Sequence, residues 1–161
     1  ISQFLGMFSK ELGHFDWLGN KSTAMAMVMV VDIWKGAGYC MVIYLAGLQT
    51  VDESLLEAGR IDGCTEWQLF RKIKLPLISS TVTINIILSV ISGLKAFDYS
   101  FIMTNGGPGK STKTLMFQVY ETAFNDMKMG RASAFSVLAF AFIIVITVIM
   151  LLYMNKREVE L

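Results

Sequence analysis

Charge is scarce in this chain. Of its 161 residues only 17% are Asp, Glu, Lys or Arg, against about a quarter in an ordinary soluble domain. The hydrophobic share is 54% and the mean hydropathy +0.54, too apolar for a soluble fold. The net charge is +1, and no basic stretch is interleaved with aromatics, which excludes nucleic acid as a partner. There are two cysteines, Cys40 in an apolar segment and Cys64 in a polar one; they sit at different depths and make neither a disulfide nor a metal pair. The lone His14 has no role. No catalytic residue, metal site or cofactor is expected. The chain opens at Ile1 without a signal-peptide pattern, and it reads as a fragment whose upstream part is missing. Internal repeats and low-complexity tracts are absent.

What is present is a set of long apolar runs. Ala132 to Tyr153 is 22 residues without a charge, and at about 1.5 Å per residue it spans the roughly 30 Å hydrocarbon layer. Pro76 to Leu94 supplies 19 uncharged residues for a second span. A third candidate, Ser22 to Leu48, is interrupted by Asp32 and Lys35. The expected organisation is one C-terminal fragment, 1–161, of an all-α membrane domain. Its spans lie at about 22–48, 76–95 and 132–154, with a polar insert at 49–75, a long loop at 96–131 and a charged tail. Turn residues Gly6, Gly13, Gly19 and Asn20 punctuate the first 21 residues. Three spans place the insert and tail on one side of the membrane and the long loop on the other. Positive charge does not orient them, because each side carries six Lys or Arg residues.

The insert encodes two short helices. Thr50 and Glu53 fit a capping box that starts a helix at Val51, with Val51, Leu55 and Ala58 on one face. Gly63 ends it, and Thr65 and Gln68 repeat the capping pattern for a second helix from Glu66 to about Lys74, stopped by the approach to Pro76. Such a knuckle either docks into a partner's groove or lies in the headgroups, with Trp67, Leu69 and Phe70 buried and Arg71, Lys72 and Lys74 snorkelling.

Glu57, Ala58 and Gly59, then Asp62 and Gly63, then Ile73, Leu75 and Pro76 resemble the EAA signature of permease subunits of binding-protein-dependent ABC importers. Ile33, Trp34, Lys35 and Gly36, and then Leu45, Ala46, Gly47, Leu48 and Gln49, resemble the segment before that signature in sugar permeases. Phe97, Asp98, Thr104, Asn105, Gly106, Gly107, Pro108, Thr112, Thr114, Leu115, Tyr120, Ala123 and Phe124 resemble the external loop of the maltose-type first permease. One letter departs: Gly59 stands where Ala is usual, which predicts a looser turn. The resemblance implies a type I importer fold in a prokaryotic cytoplasmic membrane and a cytoplasmic insert. Glu57, Ala58, Gly59, Asp62 and Gly63 would couple to an ABC ATPase subunit. It also implies a second permease subunit, an extracytoplasmic solute-binding protein, ATP hydrolysis on a separate chain, and a sugar or related polar solute.

Independently of the family, Thr81, Asn85, Ser89 and Ser92 recur at i, i+4, i+8 and i+11 on one face of the second span. Polar groups do not face lipid cheaply. The stripe therefore either packs helix to helix, with hydroxyls bonding their own preceding turn, or lines a solute path. Asp32 and Lys35, at i and i+3, are expensive in an apolar segment; they read as a structural pair near a break at Gly36 and Gly38, or as the relay of a proton-coupled carrier. A third reading of the chain is a non-transporting membrane scaffold docked through its insert. The Gly109–Thr112 stretch resembles the end of a phosphate-binding loop, but the first glycine of that pattern falls on Thr104, which excludes nucleotide binding here. Asn105 to Pro108 is expected to be a turn, followed by a helix around Thr114 to Phe124 that touches the solute-binding protein. Met25, Met27 and Met29 serve adaptable packing or lipid contact.

Overall fold

The structure, a computed structural model, describes residues 16–155. The turns at Gly6 and Gly13, His14 and the charges of the tail lie outside the described residues. Among the described residues there are seven α-helices of four residues or more, besides one three-residue turn and two π-helical turns, and no strand. They are α1 (Ala24–Gln49), α2 (Glu53–Ile61), α3 (Glu66–Leu69), α4 (Ser79–Leu94), α5 (Asp98–Thr104), α6 (Leu115–Tyr120) and α7 (Met129–Asn155).

Two of these, α1 and α7, are long and apolar enough to cross a membrane. In α7 three hydroxyls would face hydrocarbon unsatisfied, and each instead bonds one turn back: Ser133 to the Met129 carbonyl at 3.0 Å, Ser136 to Ala132 at 3.0 Å and Thr147 to Ile143 at 2.8 Å. That internal bonding removes most of the cost of placing them in an apolar helix. Helix α1 runs unbroken through Gly36 and Gly38, contrary to the break expected there. In apolar surroundings, opening the helix would free backbone groups that nothing else can bond.

The second apolar run is shorter as a helix than as a sequence. α4 has 16 residues, about 24 Å of rise, and it reaches spanning length only together with the segment Glu66–Leu77, from which it is bent by 71°. That segment does not stop before Pro76 as expected. It passes from α3 through a π-helical turn at Phe70–Lys74 into a last turn, Leu75–Leu77. Pro76 has no N–H for the Lys72 carbonyl and would crowd it in a regular α-helix. Widening the turn, with Leu75 N–H bonding the Phe70 carbonyl, lets the helix continue.

The chain forms two compact units, one made of the described residues up to Lys35 with Leu94–Phe140, the other of Gly36–Gly93 with the described residues from Ala141 on. In the first, the helix expected around Thr114 to Phe124 is present as α6 continued by a π-helical turn, Glu121–Asn125, and α5 is a further helix in the stretch read as loop. Phe97, Phe101, Phe117 and Tyr120 hold it together, with ring centroids 5.1–6.1 Å apart. The turn after α5 places Asn105 and Gly106 at φ +47° and +79°, and a β-carbon on Gly106 would lie 2.9 Å from Phe117 Cζ. Thr112, fully buried, donates to the Gly107 carbonyl at 2.8 Å. A half-buried Lys113–Glu121 ion pair ties the turn to the following helix. The local signals here, Asp98 in a first turn and Thr114 as an N-cap, are too brief to reveal α5 by periodicity.

Candidate functional site

In the second unit α2 and the Glu66–Leu77 segment fold into the knuckle. α2 is capped by Asp52, whose carboxylate accepts the Ser54 N–H at 2.9 Å. This corrects the expectation of a Thr50–Glu53 capping box and moves the start from Val51 to Glu53. The Thr50 hydroxyl is already used, donating to the Gly47 carbonyl at 2.8 Å to close α1. The bond from Ser54 favours the charged form of Asp52 and holds its carboxyl below the usual range.

The end of α2 follows a Schellman pattern: Cys64 N–H bonds the Gly59 carbonyl and Gly63 N–H bonds the Arg60 carbonyl, both at 3.0 Å. Gly63 sits at φ +81° with open space where a β-carbon would point. Its requirement is therefore conformational and not steric. Asp62 closes the helix through its backbone N–H, bonded to Ala58 O. The second helix starts as read from sequence, with Thr65 and Gln68 forming a complete capping box. An exposed Arg60–Glu66 pair at 3.2 Å bridges the two helices, a contact of small energetic weight.

Gly59 is where the sequence reading fails. It is buried, and a β-carbon there would meet Leu69 Cδ2 at 2.6 Å and Ile73 Cδ1 at 2.9 Å. Leu69 itself is fully buried. The missing methyl thus makes the knuckle tighter, not looser. Of the five residues marked by the signature, Glu57, Ala58, Asp62 and Gly63 are exposed and Gly59 faces inward. On the face shared by Val51, Leu55 and Ala58, Leu55 and Ala58 are exposed. Glu57 makes no ion pair among the described residues. The outer side of α2 therefore carries an exposed carboxylate without an ion-pair partner among the described residues.

The polar stripe divides along its length. Thr81 is half-buried against α1, where a β-carbon on Gly47 would lie 2.6 Å from Thr81 Oγ1. Asn85 is 2% exposed, and neither amide atom has a partner. Ser89 and Ser92 are exposed, with Ser89 Oγ 3.8 Å from Cys40 Sγ. Helix-to-helix packing thus accounts for the Thr81 end and leaves the Ser89–Ser92 end open. Asp32 and Lys35 form no ion pair among the described residues, correcting that expectation. Lys35 instead lies over the Tyr99 ring, 5.3 Å from its centroid, a cation–π contact. Among the described residues no cluster of His, Cys, Asp or Glu could hold a metal ion.

Residues 3–157 match the family of binding-protein-dependent transport system inner membrane components. The chain is 36% identical over 145 residues to the probable starch degradation products transport system permease AmyD of Thermoanaerobacterium thermosulfurigenes, covering 90% of this chain and 50% of that protein. It is 32% identical over 136 residues to the trehalose/maltose transport system permease MalF of Thermococcus litoralis, covering 84% of this chain and 46% of the relative. The chain thus spans about half the length of these curated relatives. A solved bacterial alginate ABC transporter, in complex with an alginate pentasaccharide-bound periplasmic protein, superposes with TM-score 0.72 at 22% identity, covering 96% of this chain and 52% of that one. That likeness shows the fold.

Proposed function

The chain belongs to the family of binding-protein-dependent transport system inner membrane components, and from that premise we propose that it is the C-terminal part of a permease subunit of an ATP-driven importer for sugars or related polar solutes. In this reading α1, the run from Pro76 through α4, and α7 cross the membrane; residues 49–75, with 66–75 bent away from α4, face the cytoplasm and 96–131 the outer side. ATP is hydrolysed on separate ABC ATPase subunits, a second permease subunit completes the path, and an extracytoplasmic solute-binding protein delivers the solute. The sugar assignment follows the relatives' names and the charge-free polarity of the stripe.

The observation that carries this reading is the build of the knuckle. Its inner side is locked by Gly59 against Leu69 and Ile73, and its outer side offers Glu57, Ala58 and the Asp62–Gly63 turn uncovered. A rigid, exposed element of this kind suits docking into a cleft. Glu57 would supply the polar contact, Ala58 a close approach, Asp62 and Gly63 the turn, and Gly59 the internal packing that keeps the helix in place. Ser89 and Ser92 are the members of the stripe offered to a solute, with Thr81 and Asn85 supporting them from the α1 interface. The proton-coupled carrier loses its proposed relay because Asp32 and Lys35 do not pair. A scaffold leaves the open end of the stripe without a role.

The test is solute uptake by proteoliposomes holding the assembled transporter. Uptake that requires ATP inside and the ATPase subunits supports the importer. Uptake that persists without the ATPase subunits and follows a proton gradient would establish the carrier instead.

A further inference from the structure

The second helix of the knuckle carries a stripe that coupling does not use. Trp67 and Phe70 stand three residues apart at its start, and Arg71, Lys72 and Lys74 follow them in the π-helical turn Phe70–Lys74. Trp67 and Phe70 are stacked at 5.7 Å and expose 67% and 40% of their surface. Leu69 and Ile73, the residues that meet Gly59, occupy the other side of the helix. Arg71 and Lys72 are exposed and Lys74 half-buried, and none of the three has an acidic partner among the described residues. The segment also has a defined attitude to the membrane. It joins α4 at a bend of 71°, so when α4 runs near the bilayer normal, Glu66–Leu77 runs close to the membrane plane, at the depth where α4 begins.

We infer that this stripe is a binding surface for the anionic phospholipid headgroups of the bilayer the chain spans. Stacked, exposed aromatic rings suit the boundary between headgroups and acyl chains. Three unneutralised cations beside them attract negative headgroups, and their aliphatic stems lie along the apolar surface while the charged ends reach the phosphates. The same lack of acidic neighbours leaves the cations nothing else within this unit to pair with. The lipid contact holds Glu66–Leu77 down while α2, on its far side, remains open to a partner.

Trp67 is its own reporter. In the full-length protein with Trp17→Phe and Trp34→Phe, reconstituted in phosphatidylcholine–phosphatidylglycerol vesicles, fluorescence is compared with bromine on the acyl chains of one lipid or the other. Quenching at equal mole fraction should be at least about twofold stronger with brominated phosphatidylglycerol, as expected for several surface cations. The preference should vanish in Arg71→Gln/Lys72→Gln/Lys74→Gln and weaken with salt. Mass analysis of phospholipids retained by the protein without tryptophan replacement gives the same comparison: phosphatidylglycerol enriched in the native chain over the triple variant supports the inference, and equal retention overturns it. Equal quenching by both lipids also overturns it, as does absence of quenching, which would place a partner subunit over the stripe. Preferential quenching in a protein that fails to transport would count against the importer and leave the lipid surface standing.

Discussion

Gly59 and Leu69 are packed so closely that a β-carbon at residue 59 would lie 2.6 Å from Leu69 Cδ2 and force the tip of that buried side chain to shift. This one approach sets the position of α2 on the following helix. It also gives a packing reason for a residue poor in helix propensity in the last turn of a nine-residue helix. Gly there costs about 1 kcal/mol of propensity, whereas forcing a methyl into a filled contact costs about 1–3 kcal/mol.

Gly59→Ala should therefore lower the protein's thermal stability despite the better helix former. Leu69→Ala is itself destabilising by about 2–5 kcal/mol, but Gly59→Ala should cost less in its presence, a coupling energy on the order of 1 kcal/mol in a double-mutant cycle. Thermal unfolding of the four proteins in one detergent measures it. Simple additivity would show that the two side chains do not compete for the same space.

Gly63 differs from Gly59 in mechanism, and the two should separate on substitution. At φ +81° with nothing within 4 Å of its β-carbon, Gly63 resists other residues through backbone strain of about 1–2 kcal/mol, which Asn tolerates better than Val. Gly63→Val should reduce ATPase co-purification and transport while membrane insertion stays intact, and Gly63→Asn should retain most of both. Equal loss in the two variants would point to a steric requirement instead.

Much of this is legible in the sequence. The Thr65–Gln68 capping box and the Gly63 turn are short-range chemistry carried by four or five adjacent residues, and the apolar run of α7 is read by length alone. What escaped was non-local. The contact of Gly59 with Leu69 spans ten positions and leaves no local trace. Thr50 could not be seen to be spent on closing α1, so the cap at Asp52 went unread. The π-helical turn before Pro76 is a compromise between a proline and a helix that packing keeps intact. Lys35 was matched with the nearest acid in sequence, whereas the fold brings it to Tyr99, a partner 64 residues away.

Along α4 the burial pattern predicts a gradient of access. In a chain with Cys40→Ser and Cys64→Ser, single cysteines at Ser89 and Ser92 should react with a water-soluble thiol reagent in the reconstituted transporter. Cysteines at Thr81 and Asn85 should be protected by at least about tenfold in rate, since protected sites react only through opened states. Solute should slow the reactive pair. Uniform inertness would remove the stripe from the solute path and leave it as helix packing along its whole length.

The most direct test of the coupling claim is photo-crosslinking from position 58, on the exposed side of α2. With a photoreactive residue in place of Ala58 in the assembled, ATP-hydrolysing complex, irradiation should join this chain to an ATPase subunit. Adducts formed with lipid alone, with no product containing the ATPase, would contradict the assignment of α2 as the coupling element.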